Sequence, residues 1–96
     1  MVNIKTESGF ECEVNENSLR DWRFIHALRD MNHEDALTKM QGVFNMILLV
    51  LGEDGERRLS EHVKDDSGFI DSLKMAAEVN EIVTKLKDTS VEVKNS

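Results

Sequence analysis

The sequence predicts an α+β fold, mainly α, in which an N-terminal β-hairpin (residues 2–14) packs on a bundle of about four helices. Two patterns carry this expectation. Residues 2 to 14 alternate apolar and polar with period two, interrupted once around Gly9. Beyond Asn15 the apolar residues recur at helical spacing almost to the end of the chain. The length of 96 residues suits one domain, expected over 1–87, with a flexible C-terminal tail over 88–96 that offers only Val91 and Val93.

In the hairpin, Val2, Ile4 and Thr6 share one face, and Phe10, Cys12 and Val14 resume it after Glu7-Ser8-Gly9. An isolated two-stranded hairpin is marginal in water, so its apolar face is expected to lie on the helices. Asn15 is the expected N-cap of the first helix, with Val14 and Leu19 as a hydrophobic staple. Leu19, Trp22, Ile25 and Leu28 then form a stripe that Phe24 and Met31 widen. Asn32 is the expected cap of a second helix, with Asp35 favouring the positive end of its dipole.

The second helix carries Leu37, Met40, Val43, Phe44, Ile47, Leu48 and Leu51 and is expected to stop at Gly52. From Val43 to Leu51 only Asn45 is polar, so this helix is apolar on nearly every side. One explanation is a central core helix. The other is that one side is covered by a second subunit or a client chain. The two are compatible, and Met40, Val43, Phe44, Ile47, Leu48 and Leu51 are the candidate protein-interface residues. A charged third helix, about 53 to 64, gives only Leu59 and Val63 to a core; a turn at Asp65-Asp66-Ser67-Gly68 follows. A fourth helix is expected over 71 to 87, with Leu73, Ala76, Ala77, Val79, Ile82, Val83 and Leu86 apolar.

The search for chemistry returns little. His26, His33, His62 and Cys12 are the soft-ligand candidates, and none forms the close pair that zinc sites show in sequence. Cys12, on the apolar hairpin face, reads as a buried inert thiol. The Asp65–Asp71 loop echoes the centre of a calcium loop, but aligning Gly68 with its sharp turn puts Val63 and Lys74 where Asp and Glu are needed. The acidic pairs Glu53-Asp54 and Asp65-Asp66 sit in polar segments, and Gly52 and Gly55 lack the Lys of a phosphate loop. No catalytic, cofactor-binding or metal-binding residue is assigned, and the chain is expected not to be an enzyme.

Net charge is −7, from 19 acids and 12 bases, and no basic run exceeds Arg57-Arg58. Nucleic acid and anionic membrane both require a basic face, so neither is expected as a partner. The longest apolar run, Met46 to Leu51, falls far short of the roughly 20 residues of a membrane span. With no signal-peptide pattern after Met1 and a single cysteine, a cytoplasmic location is expected. The expected partner is protein.

The order of pieces adds a resemblance. The hairpin Ile4-Lys5-Thr6-Glu7-Ser8-Gly9-Phe10-Glu11-Cys12-Glu13-Val14 leads into Asn15-Glu16-Asn17 and a Trp-bearing helix. Leu48-Leu49-Val50-Leu51-Gly52, a charged helix with Leu59 and His62, the Asp65–Gly68 turn, and Glu78-Val79-Asn80-Glu81-Ile82-Val83 follow. Over about residues 2 to 86 this order resembles, in pattern and length rather than in any motif, the small tail assembly chaperones of long-tailed phages and prophages from Gram-positive bacteria.

That resemblance implies a non-catalytic, cytoplasmic homo-oligomer that binds the tape measure protein and helps tail-tube subunits assemble around it. It also implies absence from the mature virion; frameshifting often gives such proteins a longer second form, beside which this chain would be the short one. The competing expectation is a small acidic adaptor or regulatory protein that binds one folded host or phage protein.

Overall fold

The structure, a computed structural model, describes the backbone of residues 1–95 and the side chains of residues 1–89. The alternation at the N-terminus becomes an antiparallel pair, β1 (Val2–Lys5) and β2 (Glu11–Val14), with Ile4 opposite Cys12 and Lys5 opposite Glu11. Ile4, Thr6, Phe10, Cys12 and Val14 turn inward, while Asn3, Lys5, Glu11 and Glu13 face out. Side chains from the helices tie down both strands: Lys85 Nζ donates to the Lys5 carbonyl at 2.7 Å and Arg58 to the Glu11 carbonyl at 2.8 Å. Pinned in this way, each strand has fewer free groups to offer another chain.

Asn15 caps a helix, as its side chain suggests, but only a short 3-10 turn (Glu16–Arg20), accepting from the Asn17 N–H at 2.9 Å. The chain is extended at Asp21, which caps the next helix, α1 (Trp22–Met31), by accepting from the Arg23 N–H at 2.9 Å. Asp21 also holds the Arg23 guanidinium at 2.7 Å. This local bonding competes with continuous helix and splits the single first helix expected from the sequence.

The rotation that follows changes which residues are inside. Ala27 is buried with Phe24, Leu28, Met31 and Leu19 packed around the core, while Trp22 is 78% and Ile25 53% exposed. The expected Leu19–Trp22–Ile25–Leu28 stripe is thus corrected to Phe24–Ala27–Leu28–Met31. Asn32 caps the end of α1, donating from its side chain to the Leu28 carbonyl at 2.9 Å. It is Asp35, not Asn32, that caps the next helix, accepting from the Thr38 N–H at 3.0 Å.

That helix, α2 (Ala36–Val63), runs through the expected stop and bends there. Gly52 has φ 78° and ψ 175°, outside helical space, and open room surrounds the place a Cβ would take. Only the backbone conformation calls for glycine at this point. The chain returns to helix at once, so the described residues form three α-helices, the second bent, where about four were expected. The second arm, residues 53 to 63, buries Leu59 completely.

The turn after α2 forms as expected. Asp65 Oδ1 accepts from the Ser67 hydroxyl at 2.7 Å and from the Phe69 N–H at 3.0 Å. The last helix, α3 (Ser72–Asn95), extends beyond the Lys87 limit read from the pattern. The expected tail over 88–96 falls largely on side chains, and on Ser96, that lie outside the described residues. Met75, Val79, Ile82, Val83 and Leu86 face the core, whereas Leu73, apolar like them, is exposed. Met46, Ile47 and Val50 of α2, Leu59, the α3 residues and the inner face of the hairpin make one core. Among the described residues, no helix is long and apolar enough to cross a membrane.

Candidate protein-binding surface

The first arm of α2, residues 36 to 51, meets the rest of the molecule with one side. Gly42, Val43, Met46, Ile47 and Val50 are buried. Gly42 sits where α1 comes closest: a Cβ there would lie 2.5 Å from the Met31 nitrogen and 2.7 Å from the Asp30 carbonyl carbon. Glycine lets the two helix backbones touch, and this fixes which side of α2 turns inward.

The opposite side is also apolar. Leu37 is 75%, Met40 47% and Phe44 50% exposed, and half-buried Leu48 and Leu51 continue the line. From Ala36 to Gly52 the only charged side chain is Lys39. Of the six candidate residues, Met40 and Phe44 therefore lie on the open face and Leu48 and Leu51 at its margin. Val43 and Ile47, at 7% and 1% exposure, belong to the core. Leu37 completes the face and was not among the six. Its spacing of three from Met40 and seven from Phe44 is the signal that could have found it.

Two smaller apolar areas stand elsewhere. Trp22 and Ile25 project from α1, with the Trp22 ring edge-on to His26 at 6.1 Å between centroids. A groove beside them runs between the helices, lined by His26, Ala27 and Asp30 on one wall and Asn45, Leu48 and Leu49 on the other. Phe69, Ile70 and Leu73 are exposed around the start of α3. An apolar pair placed directly after an Asp-Ser-Gly turn was the available sequence signal for that area.

The soft-ligand candidates are dispersed. His26 lies against Trp22, His33 Nδ1 accepts from the Asp35 N–H at 3.0 Å, and His62 lies against Phe10 with ring centroids 5.4 Å apart. Among the described residues, no group of three or more His, Cys, Asp or Glu is placed to hold a metal ion. Cys12 is buried, and that burial pushes its thiol up from the ordinary value; Arg58 nearby opposes the shift and Glu78 adds to it.

One polar cluster escapes the sequence because its members are far apart in the chain. Thr6 Oγ1 donates to Glu78 Oε1 at 2.9 Å, Ser8 Oγ donates to Glu78 Oε2 at 2.9 Å, and Ser8 Oγ lies 2.9 Å from His62 Nε2. A carboxylate only accepts, so both hydroxyl protons are directed at Glu78. With its proton committed, Ser8 Oγ is left to accept from Thr6 Oγ1 at 3.1 Å or from a His62 tautomer protonated on Nε2. In a nucleophilic triad the imidazole takes the hydroxyl proton and the acid orients the imidazole. Here the acid holds the hydroxyl itself, so the arrangement works as a clasp joining the hairpin turn, α2 and α3.

Charged groups elsewhere serve local structure. Asp21 is lowered to about 2, chiefly by its hydrogen bond with the Arg23 side chain. Asp35 is lowered by the Thr38 N–H and hydroxyl, and Asp65 by the Ser67 hydroxyl and the Phe69 N–H. Each is a cap or turn residue whose carboxylate is engaged by its own neighbours in the chain.

Comparison with known proteins finds no matching family model, no matching curated protein and no matching solved structure.

Proposed function

We propose that this chain is a non-catalytic, cytoplasmic chaperone that holds an apolar helix of a client protein against the outer face of α2. The client is the tape measure protein of a phage tail, as the resemblance to tail assembly chaperones implies, and tail-tube subunits gather around the pair. One observation carries the reading: α2 is covered on one side by its own domain, while Leu37, Met40 and Phe44 stand uncovered on the other. A rigid helix presenting apolar anchors at three-and-four spacing is what an amphipathic client helix can lie along.

Other features support the same role. Met40 supplies an adaptable contact at the centre of the face. The net charge of −7 would keep a complex with an apolar client dispersed. The bend at Gly52 divides α2 into two arms, the first of which presents its outer side.

Co-expression with a long helical tape measure protein tests the proposal. Wild-type chain should co-purify with that client, and the double variant Met40→Glu/Phe44→Glu should lose it while keeping its circular dichroism spectrum. Undiminished capture by the folded double variant would refute the α2 face as the client surface. Capture of a folded globular protein instead would favour the adaptor role.

A further inference from the structure

A contiguous apolar face of this kind marks a surface that a partner can cover. Leu37, Met40, Phe44, Leu48 and Leu51 follow one another at steps of three, four, four and three residues. The order of steps is the same from either end, with Phe44 at the centre. An antiparallel copy laid over it sets Leu37 against Leu51, Met40 against Leu48, and Phe44 against its own equivalent. A two-fold contact demands this self-complementarity, because whatever residue i meets in its partner must meet i in return.

Charge permits the contact. Lys39 is the only charged side chain between Ala36 and Gly52, so two copies bring no like charges together within the stripe despite the net charge of −7. A basic client segment would find no acid there to recognise. Size sets the strength. At about 1.5 Å per residue the stripe is about 21 Å long, on a helix about 10 Å across. That footprint falls below the roughly 800 Å² per partner of a standard interface, which implies a reversible, concentration-dependent dimer.

We infer that a second copy of this chain closes the outer face of α2, antiparallel, on a two-fold axis through Phe44. The contact deepens the proposed function and rests on it in one respect: copy and client compete for the same side chains, so client capture proceeds from the monomer.

Sedimentation equilibrium over the micromolar range should show a monomer–dimer equilibrium, and Phe44→Glu, at a half-exposed position, should be a folded monomer. Single cysteines then report the direction of pairing, with buried Cys12 left in place. Phe44→Cys should oxidise to a covalent dimer with itself. Leu37→Cys should not, yet should cross-link when mixed with Leu51→Cys chains. A wild-type monomer at every concentration, a dimer that persists in Phe44→Glu, or self-linking of Leu37→Cys would each overturn the inference. A monomer that still captures the client refutes the self-pairing and leaves the proposed function standing. A Phe44-centred dimer that captures no client does the reverse.

Discussion

Replacing Gly42 by alanine sets two effects against each other, and the structure decides between them. In an isolated helix the change stabilises by about 1 kcal/mol, because glycine loses more backbone freedom on folding. In this fold the new Cβ would lie 2.5 Å from the Met31 nitrogen and 2.7 Å from both the carbonyl carbon and Cβ of Asp30. Unstrained contact needs about 3.5 Å, so α1 would have to retreat by about 1 Å. Two of the three clashing atoms are backbone, in the last turn of α1, where Asn32 caps the helix. No side-chain rotation relieves them, so the cost falls near the upper end of overpacking, about 3 kcal/mol. The net expectation is destabilisation by about 2 kcal/mol, which lowers Tm by roughly 10 °C in a domain of this size. Urea unfolding followed by far-UV circular dichroism measures it, with Gln41→Ala, on the exposed side, as a control expected to stay within about 0.5 kcal/mol. A Gly42→Ala protein as stable as the parent, or more so, would show that α1 does not dock through this glycine.

Leu59→Ala empties a fully buried site on the second arm of α2 and should cost about 2–5 kcal/mol by the same unfolding measurement. Glu78→Gln keeps the shape of the clasp but weakens its acceptance from Thr6 and Ser8, at a cost of about 1 kcal/mol, read as faster hydrogen exchange in the Glu7–Phe10 turn. Asp21, Asp35 and Asp65 have folded values below their ordinary ones, so the stability they give is fully present above about pH 4. It is lost as pH falls through their folded values, and Tm should decline from about pH 4 toward pH 2, the value to which Asp21 is lowered. Cys12 is shifted the other way, so its contribution holds below about pH 8.5 and weakens as pH rises. A thiol reagent should label it at neutral pH only as fast as the chain unfolds.

What was legible in the sequence follows from how far each signal reaches along the chain. The hairpin could be read because period-two alternation and a glycine turn are local, and Ile4, Cys12 and Val14 all face the core as that pattern demands. Capping was harder. Asn15, Asp21, Asn32 and Asp35 are all capable caps, and which of them starts α1 or α2 depends on a split at Asp21 that its bond to Arg23 maintains. Missing that split misplaced the buried stripe of α1 and counted Trp22 and Ile25 as core residues. The bend at Gly52 was visible as a break in dihedral preference, but not its sequel, because the same glycine that ends one helix also joins two arms. The clasp was invisible. Ser8, His62 and Glu78 are 54 and 70 residues apart by way of Ser8, and only the tertiary fold brings them together.

The candidate surface shows the boundary most sharply. A helix apolar all round tells the sequence reader that both of its sides are covered, but not by what. Periodicity then fails as a guide, because Val43 and Phe44 are adjacent and equally apolar, yet Val43 is buried and Phe44 half-exposed. Gly42 resolves the choice. Its missing side chain admits the backbone of α1 and so turns Val43, Met46, Ile47 and Val50 toward the core. Leu37, Met40 and Phe44 are what remains outside, with half-buried Leu48 and Leu51 at the margin. The residue that orients the binding face is thus one that contributes no side chain to it. Losing Gly42 should therefore disturb stability first and partner binding only as a consequence, whereas losing Phe44 should abolish binding at little cost to the fold.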